Sequence, residues 1–264
     1  MNILDKIIEH KKEEVAHKQQ QTPPSALEKA AFFSRQPLSM KAFIMDPTRT
    51  GIIAEFKRKS PSKGVINGQA DVVEVTRSYT AYGASCLSIL TDHTFFGGTS
   101  MDIHQARVNE IPILRKDFII GEYQILEAKA MGADVILLIA ACLEPATVKK
   151  LATFARNLGL EVLLEIHNEE ELEHICEETE LVGVNNRDLK TFTVDIQRSI
   201  ALSKKIPAGK ITVAESGISQ VGTILQMKEA GFSGFLIGEN FMKEKDPGAA
   251  FGDFVKALKA AGQP

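Results

Sequence analysis

The 264 residues carry 31 lysine and arginine side chains against 34 aspartate and glutamate side chains, so the formal net charge at pH 7 is -3. That balance argues against nucleic acid, or any other extended polyanion, as the partner. The chain is 44% hydrophobic, and its length suits either one α/β barrel or two small domains.

The first predicted element is an amphipathic helix over residues 2–20, in which isoleucine, leucine and valine recur at helical spacing. The residues "TPPS" at 22–25 end it, and a second short helical piece, "SMKAFIM", precedes Asp46-Pro47. Both pieces lie outside the regular pattern that begins at residue 51. We therefore predict that residues 1–48 are an N-terminal helical extension packed on a domain formed by residues 49–264.

From residue 51 onward, short β-rich runs alternate with helical segments. The runs are "GIIAEF", "SCLSIL", "IPILRKDF", "DVILLI", "LEVLLEI", "LVGVN", "KITVAES" and "GFLIG". Alternation of this kind is typical of parallel βαβ units, and eight units predict an α/β protein of the (β/α)₈ TIM-barrel type. A doubly wound open sheet is the alternative, but its glycine fingerprint is missing after the first strand.

One intervening segment is strongly acidic. The run "NEEELEHICEET", residues 168–179, is interpreted as a helix with a solvent-exposed charged face. On this interpretation His167 and His174, which flank acidic residues, are surface groups. The six histidines show no metal-binding spacing, and no set of residues demands a metal, a flavin or a nicotinamide.

A barrel of this type has its active site at the C-terminal ends of its strands. Glu55 and Lys57 end the first strand two residues apart, so their side chains point to the same side. Other strand ends supply Lys116, Glu165, Asn185, Arg187 and Glu215. Charged groups that are partly desolvated beside opposite charges acquire shifted pKa values and suit proton transfer. The strand ends therefore predict an acid–base site.

Loops with glycine follow the seventh and eighth strands, where this fold usually binds phosphate. They read "SGIS" and "GEN", and each precedes a helix whose N-terminus favours negative charge. Lys59 and Ser60 in the first loop add donors. Phe96, in "FFGG" after the second strand, is expected to contact an apolar part of the substrate, with ordinary packing as the alternative. The residues alone predict a barrel enzyme acting on a small phosphorylated substrate; a non-catalytic barrel that binds such ligands is the other interpretation.

The expected compartment is a reducing cytoplasm. Cys86, Cys142 and Cys176 are widely spaced and form neither a disulfide framework nor a metal-type pair. The first residues have no signal-peptide apolar core, and the apolar run around "DVILLIAACL" is too short to span a bilayer. We expect no membrane partner.

Several motifs occur together in order: "IIAEFKRKSPSKG", "SILTD" with "FFGG", "PILRKDFII", "GVNNRDL", "AESGI" and "LIGENFM". From about residue 2 to 260 the sequence resembles the indole-3-glycerol-phosphate synthases. The resemblance implies a (β/α)₈ barrel with an N-terminal helical extension and no cofactor. It also implies conversion of 1-(2-carboxyphenylamino)-1-deoxyribulose 5-phosphate to indole-3-glycerol phosphate, CO₂ and water in tryptophan biosynthesis. A sugar-phosphate isomerase of the same pathway is the alternative, and no fused second barrel is expected in this chain.

The resemblance further implies roles for individual residues. Lys57 and Lys116 are implied to share general-acid work, in ring closure and in the later removal of water. Other implied catalytic groups are Glu55, Glu165 and Asn185. The implied substrate-binding residues are Lys59, Ser60, Arg187, Glu215, Ser216, Gly217, Gly238 and Glu239. Because the family often has serine or threonine at position 239, only the backbone N–H of Glu239 is expected to bind phosphate.

Overall fold

A closed barrel of eight parallel strands forms the centre of the molecule, a computed structural model that describes residues 3–188 and 193–262. The strands are β1 Ile52–Phe56, β2 Cys86–Leu90, β3 Ile113–Lys116, β4 Val135–Ile139, β5 Glu161–Ile166, β6 Leu181–Asn185, β7 Ile211–Glu215 and β8 Gly234–Ile237. The last strand closes on the first, with Ile52 opposite Phe235 and Ala54 opposite Ile237. The predicted (β/α)₈ barrel is confirmed, and the open sheet is excluded.

Helices surround the barrel and precede it. They are α1 Ile3–Gln21, α2 Pro24–Leu27, α3 Met40–Met45, α4 Val72–Ala81, α5 His93–Phe96, α6 Ser100–Ala106, α7 Glu122–Met131, α8 Pro145–Asn157, α9 Ile196–Ser203, α10 Val221–Glu229, α11 Glu239–Met242 and α12 Pro247–Ala261. Single 3₁₀ turns cover Ala140–Cys142 and Glu170–His174, and a small hairpin pairs Lys59–Ser60 with Gly64–Val65. Within the described part of the chain, none of the helices combines the length and apolar character needed to cross a bilayer.

The core has two layers because successive strand residues point alternately into the barrel and out toward the helices. The interior layer includes Ile53, Leu114, Leu163 and Val213, each two residues before a predicted site residue. The outer layer packs the other strand faces against the helices. An apolar floor thus lies directly under the ionisable strand ends.

The segment before the barrel contacts both of its ends. Met40 and Ile44 of α3 join the interior apolar cluster, next to Gly234 at the start of β8. At the opposite end, α1 buries Lys11, whose ammonium lies 2.9 Å from Asp92 and 3.0 Å from Asp117. These two carboxylates follow β2 and β3, so α1 is bound across the C-terminal mouth of the barrel.

The acidic segment 168–179 differs from its predicted structure. It forms one 3₁₀ turn, Glu170–His174, instead of an exposed α-helix. Glu171 turns inward, where its carboxylate accepts a hydrogen bond of 2.7 Å from the backbone N–H of His167. His167 and His174 are each only 8% exposed, so their interpretation as surface groups is wrong. The prediction was wrong because it placed every charge of this segment in solvent, whereas the Glu171 carboxylate binds the backbone at the end of β5.

Candidate active site

A cavity of about 480 Å³ opens at the C-terminal ends of the strands, under α1. The predicted site residues that line it are Glu55, Lys57, Ser60, Phe96, Lys116, Glu165, Asn185, Arg187, Glu215, Ser216, Gly217, Gly238 and Glu239. Lys59 is not among the lining residues, and its ammonium donates to the carbonyl of Thr94 at 2.9 Å. The structure therefore gathers the predicted strand ends around one cavity and leaves Lys59 bound to the short helix α5.

The floor of the cavity is a ring of ionisable side chains from the odd-numbered strands, Glu55, Lys116, Glu165 and Glu215. In this fold alternate strands supply the side chains of one layer, which explains why these four meet. The Lys116 ammonium lies 2.9 Å from Glu165 Oε2 and 2.8 Å from Glu215 Oε2. One cation is thus shared by two buried carboxylates.

The two carboxylates differ in their other contacts. Glu165 Oε1 accepts a hydrogen bond of 2.9 Å from the Asn185 amide. Glu215 Oε1 is buried and has no hydrogen-bond partner among the described residues. A carboxylate with more donors holds its negative charge more easily, so this asymmetry predicts different proton affinities for the two groups.

The pKa values follow this asymmetry. Burial, with repulsion from Glu165, raises the pKa of Glu215 to about 7. Burial alone would also raise the pKa of Glu165, but Lys116 and further donors hold it well below its usual range. Burial would lower the pKa of Lys116, yet the surrounding carboxylates raise it above its ordinary value. Near neutral pH the floor therefore contains a firmly charged ammonium beside one group, Glu215, that readily exchanges a proton.

A second ion pair stands beside this ring. The Lys57 ammonium lies 2.6 Å from Glu55 Oε1, and Ser88 donates to Glu55 Oε2 at 3.4 Å. A Cβ on Gly238 would lie 2.8 Å from the Cβ of Glu55, which real side chains essentially never allow. Glycine at the end of β8 therefore leaves room for Glu55 and places an acid and a base side by side.

The loop after β7 has an unusual backbone. Ser216 adopts φ 68° although it is not glycine, and Gly217 follows with φ 70°. The buried Asn186 stabilises this conformation by donating to the carbonyl of Ser216 at 2.8 Å. Strained backbone of this kind is concentrated at ligand-binding sites because the surrounding structure must maintain it. The loop is thus held in one conformation at the predicted anion site.

Glu239, after β8, faces two cations. Arg187 Nη2 and Lys63 Nζ each lie 3.9 Å from its carboxylate oxygens. The Arg187 guanidinium also donates to Ser62 Oγ at 3.2 Å. The loops after β1 and β6 therefore bring positive charge to one rim of the cavity and offset the charge of the Glu239 side chain.

The opposite wall of the cavity is apolar. It is formed by Ile3, Leu4 and Ile7 of α1, with Leu137, Ile139, Leu236, Phe96 and Phe118 from the barrel. The rings of Phe96 and Phe118 are tilted against each other with their centroids 6.0 Å apart. One cavity thus combines an ionisable floor, a cationic rim and an apolar wall suited to an aromatic ring.

Sequence reasoning missed His167. Its Nε2 lies 3.1 Å from Glu165 Oε1, and its Nδ1 lies 3.2 Å from Glu171 Oε2. Burial alone would lower the pKa of His167, but the two neighbouring carboxylates raise it to about 9. The available signal was its spacing: His167 stands two residues after Glu165, as Lys57 stands two residues after Glu55.

Across residues 3–188 and 193–262, no group of three or more histidine, cysteine, aspartate or glutamate side chains is placed to hold a metal ion. The donors around the cavity are ammonium, guanidinium, hydroxyl and amide groups, which bind anions.

Sequence comparisons match almost the whole chain to one family. A family model described as indole-3-glycerol phosphate synthase matches residues 4–254. A relative of that name from Bacteroides thetaiotaomicron is 47% identical over 259 residues, which is 98% of this chain and 99% of the relative. Another from Chromobacterium violaceum is 49% identical over 204 residues, 76% of this chain and 77% of the relative.

Similar solved structures support the fold. A tryptophan synthase complex from Pyrococcus furiosus contains a chain that aligns with a TM-score of 0.61 and 16% identity, covering 80% of this chain and 99% of that one. Tryptophan synthase subunit alpha from Legionella pneumophila aligns with a TM-score of 0.60 and 15% identity, covering 84% of this chain and 97% of that one. At such low identity these similarities show a shared fold and nothing about activity.

Proposed function

The chain belongs to the indole-3-glycerol phosphate synthase family, and from that premise we propose how its residues divide the reaction. The enzyme is a carboxy-lyase of tryptophan biosynthesis. It closes the pyrrole ring of 1-(2-carboxyphenylamino)-1-deoxyribulose 5-phosphate and releases CO₂, water and indole-3-glycerol phosphate. The observation that carries our assignment of roles is the Lys116 ammonium shared by Glu165 and Glu215, 2.9 and 2.8 Å away, beside a cavity of suitable size.

The cationic rim is proposed to hold the substrate phosphate. The Ser60 and Ser216 hydroxyls and the backbone N–H groups of Ser216-Gly217 and Gly238-Glu239 are the proposed donors. Oriented backbone amides bind anions without a side-chain charge, so the Glu239 carboxylate is not itself a ligand. Arg187 and Lys63 support this proposal because they lie 3.9 Å from that carboxylate and offset its repulsion.

The apolar wall is proposed to hold the carboxyphenyl ring. Phe96 and Phe118 offer tilted rings, and Ile7 of α1 covers the cavity from above. Decarboxylation requires that the substrate carboxylate is not over-stabilised by a cation. An apolar wall meets that requirement and excludes water, which also strengthens the charges on the floor.

Ring closure is assigned to Lys116. A carbon of the phenyl ring bonds to the substrate carbonyl carbon, and the carbonyl oxygen takes a proton from the Lys116 ammonium. A preorganised cation at the oxygen where negative charge develops is the strongest kind of electrostatic catalysis. Glu215, whose pKa is raised to about 7 by burial, can then return a proton to Lys116. Glu165, held by Asn185, keeps the ammonium in place.

Dehydration is assigned to the pair formed by Lys57 and Glu55. After CO₂ leaves, its bonding electrons remain in the ring, and a hydroxyl group must depart as water. Lys57 donates the proton to that hydroxyl while Glu55 removes one proton from the adjacent methylene carbon of the new ring, which forms the ring double bond. The 2.6 Å separation of the two groups supports this assignment because one small site supplies both acid and base.

Residues 1–48 are proposed to form a single structural domain together with the barrel of residues 49–264. The contacts of α1 support this, since Ile3, Leu4 and Ile7 line the cavity and Lys11 binds Asp92 and Asp117. On this proposal the extension completes the substrate site, and its removal raises KM.

The enzyme is further proposed to work in a reducing cytoplasm without a nucleic acid partner. Cys86, Cys142 and Cys176 are free thiols, as is usual for proteins in that compartment. The formal net charge of -3 supports the absence of a polyanion partner.

The test is to add the carboxyphenylamino-deoxyribulose phosphate to the purified protein and to follow indole fluorescence and CO₂ release together. We expect both signals in a one-to-one ratio. An isomerase would turn over a sugar phosphate without CO₂, and a binding protein would show neither signal. Turnover without CO₂ release overturns the assignment.

A further inference from the structure

Behind the catalytic floor, His167 lies between two carboxylates. It follows β5 directly and is only 8% exposed. Its ring is not among the groups that line the cavity, so it does not touch the substrate. Its Nε2 instead lies 3.1 Å from the same Glu165 oxygen that accepts the Asn185 hydrogen bond.

Glu171 holds this histidine from the other side. One of its oxygens lies 3.2 Å from Nδ1 and also accepts the backbone N–H of His167 at 2.7 Å. Its other oxygen accepts a hydrogen bond from Asn168 at 3.1 Å. The 3₁₀ turn therefore places the buried Glu171 carboxylate against the buried His167 imidazole.

Other ionisable groups also lie near His167 and Glu171. Lys116 lies beyond Glu165 at 2.9 Å, and the Cys142 thiol is close enough for both Glu165 and Glu171 to raise its pKa, which burial raises most. Among the described residues, the ring nitrogens of His174, in the same turn, pair with backbone carbonyls, those of Leu143 at 2.8 Å and Glu171 at 3.1 Å. The imidazole 3.1 Å from Glu165 Oε1 and the Asn185 amide at 2.9 Å are therefore the contacts that distinguish Glu165 from Glu215.

We propose that His167, held by Glu171, is a positioning residue that fixes Glu165 as the permanently ionised partner of Lys116 and leaves Glu215 to exchange protons with Lys116. The inference rests on the proposed division of roles in the reaction. It adds a chain of three side chains, Glu171, His167 and Glu165, that acts on the reaction only through the Lys116 ammonium. In other enzymes, different surroundings give two neighbouring carboxyl groups different pKa values, so that one stays ionised and the other transfers protons.

The first experiment replaces the histidine without emptying its site. His167→Gln keeps a neutral donor near the position of Nε2 but removes the positive charge. A hydrogen bond to a charged group corresponds to about a ten- to hundredfold effect. We expect kcat to fall by about that factor with KM little changed, because His167 does not contact the substrate. The acidic limb of the kcat profile should move to higher pH, since Glu165 loses a stabilising charge.

His174→Gln is the matched control. It alters the other buried histidine of the same 3₁₀ turn, whose ring nitrogens pair with backbone carbonyls. We expect some loss of thermal stability and an unchanged pH profile. If His167→Gln and His174→Gln behave alike in kcat and in pH profile, His167 has only a structural role and the proposal is wrong.

A double-mutant cycle with Glu165→Gln tests whether His167 acts through Glu165. With a neutral amide at position 165, His167→Gln should cause no further loss in the single-turnover rate. Multiplicative losses would show that His167 acts on another group, which also overturns the proposal. Glu171→Gln should reproduce the direction of the His167→Gln effect at smaller size.

A readout independent of turnover separates this proposal from the assigned activity. The imidazole of His167 should titrate in ¹⁵N NMR spectra at a pKa of about 9, raised by its two neighbouring carboxylates despite burial, and at a lower value in Glu171→Gln. An inactive wild-type enzyme with this titration would contradict only the activity. An imidazole that titrates below neutral pH in an active enzyme would contradict only the positioning role.

Discussion

Arg115, Lys116 and Asp117 are consecutive, yet they belong to two different buried charge clusters. The inner cluster comprises Glu55, Lys57, Lys116, Glu165 and Glu215, and the outer cluster comprises Lys11, Asp92, Arg115, Asp117 and Glu127. Lys116 points into the barrel, whereas Arg115 binds Glu127 of α7 at 3.2 Å and Asp117 binds Lys11 of α1 at 3.0 Å. Each cluster contains two cations and three carboxylates, so composition alone does not distinguish them.

The arrangement of the charges does distinguish them. In the outer cluster one carboxylate, Asp117, lies between two cations and also accepts hydrogen bonds from Thr91 at 2.6 Å and from the backbone N–H of Phe118 at 2.8 Å. Burial alone would raise the pKa of Asp117, but Arg115 and Lys11 lower it far below its usual range. Such a group keeps its charge at any physiological pH, which suits it to fastening α1 and α7 to the barrel.

In the inner cluster one cation, Lys116, lies between two carboxylates. Glu215 has a buried oxygen without a hydrogen-bond partner in the described residues, and burial raises its pKa to about 7. Burial and ion pairing therefore do not by themselves mark an active site. One cation shared by two carboxylates, one of which has a buried oxygen without a donor, does mark it, because this arrangement leaves a proton poised to move.

The largest expected effect concerns the inner cluster. Lys116→Met deletes the shared ammonium and leaves a side chain of similar volume. Loss of one preorganised donor costs about 10²- to 10³-fold in kcat, and loss of proton transfer adds to that. We expect single-turnover fluorescence to show a fall of at least about a thousandfold with unchanged circular dichroism. A rate above one tenth of wild type would mean that Lys57 carries the protonation alone.

Lys11→Met makes the equivalent change in the outer cluster. The Lys11 side chain is 1% exposed, and its removal leaves Asp92 without its 2.9 Å ammonium partner. Breaking a buried pair from one side costs about 3–5 kcal/mol. We expect urea unfolding to show a loss of that size, with KM raised because α1 covers the cavity and kcat reduced far less than in Lys116→Met. A thousandfold fall in kcat with unchanged stability would contradict the division between the clusters.

Much of this comparison was accessible from the sequence. The eight strands were found because continuous apolar runs mark strands that are buried on both faces. The ring of Glu55, Lys116, Glu165 and Glu215 followed because barrel strands end at one mouth. Contacts within the ring, and the asymmetry between Glu165 and Glu215, depend on side-chain distances of 2.8 to 2.9 Å that no spacing rule provides.

The failures have physical causes of their own. The segment 168–179 reads as an exposed helix because its charges are dense, but Glu171 is buried with His167 as its partner. Lys11 falls at helical spacing from Ile7 and Val15, on the apolar face of α1, which was the signal that its charge is buried. Dense charge in a sequence indicates solvent exposure by default, and tertiary pairing instead buries Glu171 beside His167; Lys11 is buried in the same way by Asp92 and Asp117.

The phosphate rim should respond less than either cluster. Ser216→Ala removes one proposed hydroxyl donor to an anion, which corresponds to about 1.5–3 kcal/mol and a ten- to hundredfold fall in kcat/KM. Most of the loss should appear in KM, because phosphate is bound in both ground and transition states.

Ser216→Gly is the matched control for backbone strain at φ 68°. Glycine adopts this conformation readily, so it removes the hydroxyl while relieving the strain. Equal losses in the alanine and glycine variants support the hydroxyl as the donor. Full activity in the glycine variant would show that the backbone, not the hydroxyl, is what the loop contributes.

The smallest expected effect is a pH dependence of stability that differs in sign between the clusters. Burial raises the pKa of Glu215 from 4.5 to about 7, so its protonated form stabilises the folded protein below pH 4.5 and that stability is lost as the pH rises through 7. Asp117 behaves oppositely, because its lowered pKa gives stability above its ordinary value of 3.8 that is lost only as the pH falls. One unit of pKa shift is about 1.4 kcal/mol, and the pKa of Glu215 depends on the charges of Lys116 and Glu165 beside it, so we expect an effect on the order of 1–2 kcal/mol. Urea unfolding of Glu215→Gln should show the variant gaining on wild type by that amount between pH 5 and pH 8. A constant difference across this range would mean that Glu215 is ionised throughout, and the inner cluster would then resemble the outer one.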